Sequence, residues 1–260
     1  MIGGASPMLQ DLLTDDIFAL AFVFARIGAA LMLLPGFGEV FIAARVRLLL
    51  AVGVTIVVTP VIGQTIPPAP AGPFAMLAVL GHEIVIGLFL GAIARMMVSA
   101  LHMAGVIIGF QTSLANAHLF DPMNAGQGSL IGSFLNVLGV FLIFATDLHH
   151  LMLIALVDSY SLFIPGATLP IGDFSETAAR VLAQSFAVAM QIAAPFIVMG
   201  MLFYLGLGLL ARLMPQVQVF FIAIPIQIVL GFLVMAATLS AGMMWFLGSF
   251  QNTFQSILLP

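Results

Sequence analysis

Residues 181–211 read VLAQSFAVAMQIAAPFIVMGMLFYLGLGLLA, a run without a single charged side chain. A helix that crosses the hydrocarbon core of a bilayer needs about 20 mostly apolar residues. As one straight α-helix, this run would extend roughly 47 Å at about 1.5 Å per residue, whereas the core is only about 30 Å thick. The run therefore predicts a membrane helix with more apolar length than a single straight crossing requires.

The rest of the chain has the same apolar character. Of its 260 residues, 63% are hydrophobic and 6% are charged, and the charged side chains are six arginines and ten acids. A typical soluble domain is about 25% charged. This composition excludes a soluble enzyme, a disordered protein and a nucleic-acid-binding protein, which needs a basic face. The lack of cysteine excludes disulfides, thiolate metal sites and cysteine catalysis.

Gaps between charged residues divide the chain into six apolar regions, each rich in Leu, Ile, Val, Phe, Ala and Met. The regions are 17–34, 48–66, 74–98, 130–164, 181–211 and 217–247. The alternating strands of about 10 residues that are typical of an outer-membrane barrel are not visible. We therefore predict an all-α polytopic membrane protein of about six apolar helical regions, several of them broken or hairpin-like, in one membrane domain over residues 1–260.

Prolines inside the two longest uncharged regions predict breaks in their helices. Pro195 lies within 181–211, and Pro225 lies within 217–247. Proline removes an intrahelical hydrogen bond and kinks or breaks a helix, so we expect broken helices or tight hairpins there. Backbone groups freed at membrane depth are tolerated only where they are buried in protein or line a wet cavity. The chain is therefore expected to pack against partner helices.

Region 130–164 has two interpretations. It carries Asp147, His149 and His150 near its middle, so it forms either two short helices or one long helix with a polar waist. The three side chains are also candidates for metal ligands or a proton relay. Because adjacent residues on a helix point about 100° apart, both imidazoles cannot easily face one ion. We therefore favour a polar helix junction and predict no metal site.

Two charged residues inside apolar regions are candidates for buried polar contacts. Arg26 lies in the first region, where an unpaired arginine costs at least about 2.5–3.5 kcal/mol, so we expect it to face protein at an interface with partner helices. Glu83 is either a buried, partnered carboxylate or a helix-end residue among lipid headgroups. His82 and Glu83 do not begin the zinc-protease motif HExxH, because position 86 is isoleucine.

Small residues at helical spacing predict close packing of helices. Such glycine pairs occur at positions 87 and 91, 105 and 109, and 128 and 132. The sequence GLGLLA at 206–211 matches the dinucleotide fingerprint GxGxxA, but no strand precedes it and no acid follows about 20 residues later. We interpret it as a further packing surface. The sequence predicts no catalytic residue, no cofactor and no enzymatic activity.

Three motifs occur in a specific order along nearly the whole chain. The central one is GVIIGFQTSLANA at 105–117, followed by FDP at 120–122, and the C-terminal one is LGLLARLMPQ at 207–216. The N-terminal motif is PGFG at 35–38. The isolated positions that also match are Arg26, Arg45, Arg47, Pro60, His149, Ser159, Phe220, Pro225 and Gly231. Together they resemble the FliR family of flagellar biosynthetic membrane proteins, which are homologous to the SctT proteins of injectisomes.

Two positions depart from the family pattern. Ser113 stands where glycine is usual after the glutamine of the central motif. Asp147 stands where the family often has glycine before its histidine. Both departures concern local backbone geometry and leave the resemblance intact.

The resemblance implies a subunit of the export gate of the flagellar type III secretion apparatus. Such a subunit lies in the bacterial inner membrane, within the flagellar basal body. In the family, one FliR copy assembles with several FliP and FliQ copies, in association with FlhB, and the assembly passes unfolded flagellar proteins outward. The family arranges its helices as hairpins in a spiral, and the expected partners include lipid but no nucleic acid.

The resemblance also implies that the loop 109–122 is a plug that closes the channel. The predicted plug residues are Gly109, Phe110, Gln111, Leu119, Phe120, Asp121 and Pro122. A closed gate needs close-fitting apolar side chains on a backbone that can move, and glycine permits hinge conformations. Predicted helix hinges or packing points are Gly105, Pro195, Pro215, Gln216 and Pro225.

Other functions remain open from the residues alone. An SctT-type subunit of an injectisome shares the same motifs. A secondary transporter would use intramembrane acids such as Glu83 and Asp158, but it predicts an internal repeat, and none is visible in the sequence. A structural scaffold for other gate subunits is a further alternative. Without the resemblance, 109–129 would be interpreted as an ordinary polar loop.

Overall fold

A computed structural model describes residues 7–70, 72–116, 129–165, 169–213 and 219–258 of the chain. These residues form seven α-helices and no β-strand, which confirms the prediction of an all-α fold. The helices are α1 (Pro7–Leu33), α2 (Ala44–Ile62), α3 (Pro73–Gln111), α4 (Leu130–Ala145), α5 (Leu148–Leu162), α6 (Ile171–Leu213) and α7 (Val219–Leu258). By length and composition, α1, α2, α3, α6 and α7 can each cross a membrane.

Region 130–164 forms two helices rather than one. α4 ends at Ala145 and α5 begins at Leu148. The break contains Asp147, whose φ of 60° lies in the left-handed region. A residue in this conformation ends the right-handed path of the preceding helix. Of the two interpretations left open by the sequence, the structure therefore shows the pair of short helices.

The prediction of broken helices in 181–211 and 217–247 is wrong for the described residues. α6 continues through Pro195, and α7 continues through Pro225. The ring of proline holds φ near the helical value, so the chain can stay helical and lose one hydrogen bond. At about 64 Å and about 60 Å, both helices are about twice as long as the membrane core is thick.

Two compact units divide the chain. The first comprises Met1–Arg95, Asp147–Ala179 and Thr253–Pro260, and the second comprises Met96–Thr146 and Arg180–Asn252. Each unit has its own buried apolar residues, so each is a packed body of helices.

In the first unit, one face of α1 supplies the core. Its buried apolar residues are Phe18, Phe22, Val23, Ile27, Ala30 and Leu31, and they recur at the three- and four-residue spacing of a helix face. Gly87 and Gly91 of α3 lie against this face. A Cβ added to Gly91 would lie 2.8 Å from the carbonyl oxygen of Ala30. The two glycines therefore allow α1 and α3 to approach closely, as their spacing predicted.

In the second unit, glycines bring α3 against α4. A Cβ added to Gly105 would collide with the Cα of Gly132, and one added to Gly132 would lie 2.9 Å from the carbonyl oxygen of His102. Gly139, two turns further along α4, leaves room for the side chain of Leu101. Gly105 is thus a helical residue at a close crossing of two helices.

In the same unit, α6 and α7 form an antiparallel hairpin with each other. Trp245 Nε1 donates to Gln191 Oε1 at 2.6 Å, and Gln227 Nε2 donates to Tyr204 Oη at 3.3 Å. The paired residues have rising numbers along α6 and falling numbers along α7, so the two helices run in opposite directions. The hairpin character predicted for this part of the sequence therefore comes from two long helices paired together. Pro215 and Gln216, which connect them, lie outside the described residues.

Much apolar surface remains uncovered in the second unit. Between 201 and 213, every side chain except Phe203 and Leu207 is exposed. A Cβ added to Gly206 or Gly208 meets no described atom within 4 Å. The small residues of the GLGLLA sequence, which we interpreted as a packing surface, therefore pack against nothing in the described chain. They leave a flat apolar strip on α6.

The left-handed backbone at Asp147 predicts a gain in stability from the variant Asp147→Gly. An L-residue pays about 1–2 kcal/mol in this conformation, glycine in turn loses about 0.5–1 kcal/mol of entropy on folding, and the Asp147 side chain makes no capping bond to its helix. We expect a net gain of up to about 1 kcal/mol, measured by thermal unfolding of the purified protein. The control Asp158→Gly changes a right-handed helical residue and is expected to lower stability by a few tenths of a kcal/mol.

Candidate functional site

The C-terminus of α3 is the first candidate site, because the predicted plug begins there. Gly109, Phe110 and Gln111 are helical, so the prediction that they belong to a loop is wrong. α3 ends at Gln111, and Ser113 then takes a φ of 58°. The helix continues two residues beyond Gly109 and ends just before Ser113, the first residue after it with a left-handed backbone. The predicted plug residues Leu119, Phe120, Asp121 and Pro122 lie outside the described part of the chain.

A glutamine from α7 holds this helix end through its side-chain amide. Gln227 Nε2 donates to the backbone carbonyl of Gln111 at 2.6 Å, and Gln227 Oε1 accepts from Ser113 Oγ at 2.7 Å. The last four carbonyls of a helix have no partner within the helix. Gln227 is only 2% exposed, so it serves as a capping residue for α3 supplied by another helix. We call these three residues the Gln227 clamp.

Two glycines let α6 and α7 approach the clamp. A Cβ added to Gly200 of α6 would collide with the side-chain oxygen of Gln111. A Cβ added to Gly231 of α7 would lie 2.8 Å from the Cβ of Thr112, which cannot move away as the end of a long side chain can. Gly231 is therefore the more restrictive of the two positions, and it fixes how α7 meets the end of α3.

The start of α4 is also tied to α3 near the clamp. Ser129 Oγ donates to the carbonyl of Gly105 at 3.0 Å and accepts from the backbone N–H of Gly132 at 3.1 Å. Serine is a preferred residue at this capping position. A Cβ added to Gly109 would lie 3.4 Å from the same hydroxyl. Ser113 and Ser129, the residues on either side of the segment 114–128, are therefore both held by hydrogen bonds near the end of α3.

Phe110 differs from the other residues at the α3 terminus because its side chain is 67% exposed. Its neighbours Thr112 and Ser113 are buried. A large apolar side chain that points away from its own unit is free to contact another surface. The described chain shows no surface that Phe110 seals, so its role in the plug stays a prediction.

Gln227 is not among the residues predicted from the sequence. The available signal was its position within the uncharged run 217–247. Polar side chains in such runs face protein and form hydrogen bonds between helices. The same signal applies to Gln191, which accepts a hydrogen bond from Trp245.

A buried ion pair in the first unit is the second candidate site. Arg26 Nε donates to Glu83 Oε2 at 2.6 Å, and the two side chains are 0% and 1% exposed. Arg26 Nη1 donates to Ser159 Oγ at 3.0 Å, and Nη2 donates to the backbone carbonyl of Phe163 at 3.2 Å. The guanidinium also lies 3.8 Å from the centre of the Tyr160 ring. These contacts join α1, α3 and α5 within one chain, so Arg26 meets residues of its own chain where we had expected partner helices.

The third cluster lies at the junction of α4 and α5. The rings of His149 and His150 have centroids 4.1 Å apart, so the prediction that the imidazoles diverge is wrong. Neighbouring residues have divergent Cβ directions, but their rings can lean toward each other. With Asp147 they offer three ligand atoms within 4.8 Å of one another. Asp147 and His150 are largely exposed, and Asp147 Oδ1 lies 3.7 Å from His150 Nδ1.

Known proteins are similar in sequence to this chain over most of its length. Residues 17–253 match the family described as bacterial export proteins, family 1. The chain is 38% identical over 231 residues to the flagellar biosynthetic protein FliR of Caulobacter vibrioides, covering 88% of this chain and 92% of that protein. It is 30% identical over 229 residues to the protein of the same name from Bacillus subtilis, covering 86% and 88%. It is 26% identical over 226 residues to the Yop proteins translocation protein T of Yersinia pestis, covering 85% of each chain.

The buried ion pair predicts a large loss of stability when one partner is removed. Arg26→Leu leaves the Glu83 carboxylate buried without its partner, which typically costs about 3–5 kcal/mol. The double variant Arg26→Leu/Glu83→Leu removes both charges and is expected to recover much of this loss. Thermal unfolding of the purified variants measures the difference. As a control, Arg95→Leu breaks the more exposed pair with Glu39 at 3.7 Å and is expected to cost at most about 1 kcal/mol.

Proposed function

Because the chain belongs to the bacterial export proteins, family 1, we propose that it is a membrane subunit of the flagellar type III protein export gate. The observation that carries this proposal is the near full-length similarity to proteins named for flagellar biosynthesis. The long apolar helices make the chain a polytopic membrane protein. We place it in the bacterial inner membrane, at the flagellar basal body.

The uncovered apolar surface supports assembly with other subunits. The strip 201–213 of α6 combines exposed leucines with Gly206 and Gly208, at which an added Cβ would meet no other part of the described chain within 4 Å. Flat strips of small residues allow the backbone of another helix to approach closely. We propose that helices of FliP and FliQ cover such surfaces in a hetero-oligomeric gate associated with FlhB, and that the gate passes unfolded flagellar proteins.

Within this gate, the segment 109–122 serves as the plug. Phe110 extends from the end of α3 with an exposed side chain, and the clamp fixes the backbone from which the segment continues. An apolar side chain placed at a constriction excludes water and ions, which is how hydrophobic gates close. The plug thus keeps ions from leaking when no substrate is in transit.

The injectisome is the second candidate setting, because the Yersinia relative is named for the translocation of Yop proteins. That relative is less similar to the chain than the two flagellar proteins are. Expression of the chain in a non-motile strain that lacks its own FliR discriminates between the settings. Restored swimming supports the flagellar assignment, and restored secretion of Yop proteins in the corresponding mutant, without restored swimming, contradicts it.

Weakening the plug is expected to make the closed gate leak. Phe110→Ala, or deletion of 113–119, removes bulk or backbone from the segment, so ion conductance across the cytoplasmic membrane should rise in cells that express the assembled complex. Phe141→Ala is the control, because Phe141 is similarly exposed, at 64%, but lies on α4. Unchanged conductance in a deletion variant that still assembles would refute the plug.

Blocking the apolar strip is expected to prevent assembly without harming the fold. Gly206→Leu adds a side chain where the described chain has no atom within 4 Å, so the protein alone should stay folded while partner helices are kept apart. Gly206→Ala keeps the residue small and serves as the control. The measurement is the amount of FliP and FliQ that co-purifies with each variant. Normal co-purification of the leucine variant would show that this strip is no interface.

A further inference from the structure

One side chain of α7 contacts both the last carbonyl of α3 and the residue that ends the helix. Gln227 donates to the Gln111 carbonyl and accepts from the Ser113 hydroxyl. We propose that Gln227 is a positioning residue of the export gate, which holds the last turn of α3 in the conformation that the closed gate requires. This inference rests on the proposed function. It means that Gln227, which lies outside the segment 109–122, sets the backbone conformation at the start of that segment.

The backbone at Ser113 needs an external hold. Its φ of 58° places it in the left-handed region, which an L-residue enters only against a steric penalty. The Ser113 N–H reaches the carbonyl of Phe110 at 3.4 Å, which is long for a hydrogen bond. The bond from Ser113 Oγ to Gln227, at 2.7 Å, is much shorter. When the clamp is lost, Ser113 can relax to a more favourable backbone region and redirect the chain that follows.

The neighbouring threonine does not replace the clamp. Thr112 Oγ1 donates back to the carbonyl of Ile108 at 2.9 Å, so its hydroxyl is already engaged within α3. Its methyl group packs against Gly231. Gly231 follows Gln227 by four residues on α7, so both lie on the same helix face. One face of α7 therefore provides both the hydrogen bonds of Gln227 and, at Gly231, the space for the Thr112 side chain.

The clamp also connects the end of α3 to the hairpin. Gln227 Nε2 lies 3.3 Å from Tyr204 Oη of α6, in addition to its bond to α3. A movement of α7 along α3 would break both bonds of the clamp together, because they come from one side chain. The conformation of the plug's first residues thus depends on where the hairpin lies against α3.

Replacing Gln227 with an apolar residue of similar size tests the proposal. In Gln227→Leu and Gln227→Met, the Gln111 carbonyl and the Ser113 hydroxyl lose their partner, so the last turn of α3 should open more often. We expect hydrogen exchange at the Thr112 and Ser113 amides to accelerate about fivefold to tenfold, the factor expected for loss of one or two hydrogen bonds. Ion conductance in cells that express the assembled complex should rise by a similar factor, because leak scales with the open population.

Gln191→Leu is the matched control, because it removes a glutamine of the same unit that bonds to Trp245 instead of α3. It should leave both the exchange rates at Thr112 and Ser113 and the conductance unchanged. Co-purification of FliP and FliQ with each variant establishes that the complex has assembled. If Gln227→Leu fails to assemble, Gln227→Met and the serine variants carry the test.

The serine variants separate a gating role from a purely structural one. Ser113→Gly removes the hydroxyl but tolerates the left-handed backbone, so the leak should be smaller than in Gln227→Leu. Ser113→Ala removes the hydroxyl and keeps the strain, so the leak should approach that of Gln227→Leu. The double variant Ser113→Ala/Gln227→Leu should leak no more than Gln227→Leu alone, because residues of one hydrogen-bonded network do not contribute additively.

The outcomes distinguish this inference from the proposed function. If deletion of 113–119 raises conductance and Gln227→Leu does not, the clamp has no gating role while the plug stands. If neither variant of an assembled complex leaks, the plug itself is wrong. If conductance rises equally in Gln227→Leu and Gln191→Leu, the effect is a general loosening of the hairpin, which also overturns the clamp.

Discussion

In an apolar environment, the backbone carbonyls left unpaired at a helix end must find donors within the protein. Lipid offers no replacement for water. The carbonyl of Phe163, just after α5, accepts from Arg26, and the carbonyl of Gln111, at the end of α3, accepts from Gln227. In both cases, a buried polar side chain from a distant helix completes the helix end. The need to satisfy these carbonyls explains why Arg26 and Gln227, which lie within their own helices, are placed opposite the ends of other helices.

The fold class could be predicted from the sequence, because a helix surrounded by lipid needs a long run of apolar residues without charges. The close approach at Gly87, Gly91 and Gly105 was also predictable, because small residues at helical spacing have few other uses in membrane helices. The positions of helix breaks were not. Pro195 was expected to interrupt α6, but its ring is compatible with helical φ. Gln227 was missed because its partners at the end of α3 lie more than a hundred residues earlier in the chain.

Both departures from the family pattern fall at special backbone positions. Ser113 and Asp147 are the two residues other than glycine that have positive φ among the described residues. Glycine enters this region without steric penalty, so the backbone at both positions is one that suits the glycine of the family pattern that the resemblance implies. Serine at 113 accepts strain but gains a hydroxyl that bonds to Gln227. Asp147 has no comparable bond to its helix, so only one of the two substitutions brings a contact that offsets its strain.

The exposed apolar strip on α6 has a consequence for the life of the newly made chain. Residues 201–213 have little cover from the described chain, and the helix that carries them is about twice as long as a bilayer core is thick. Lipid alone cannot surround a helix of that length over its whole extent. A copy that is synthesised without subunits to cover this strip would therefore expose apolar surface to chaperones and to membrane proteases. If partner subunits cover the strip as proposed, the cell must make them at about the same time as this chain, and their amount sets how much of it is stable.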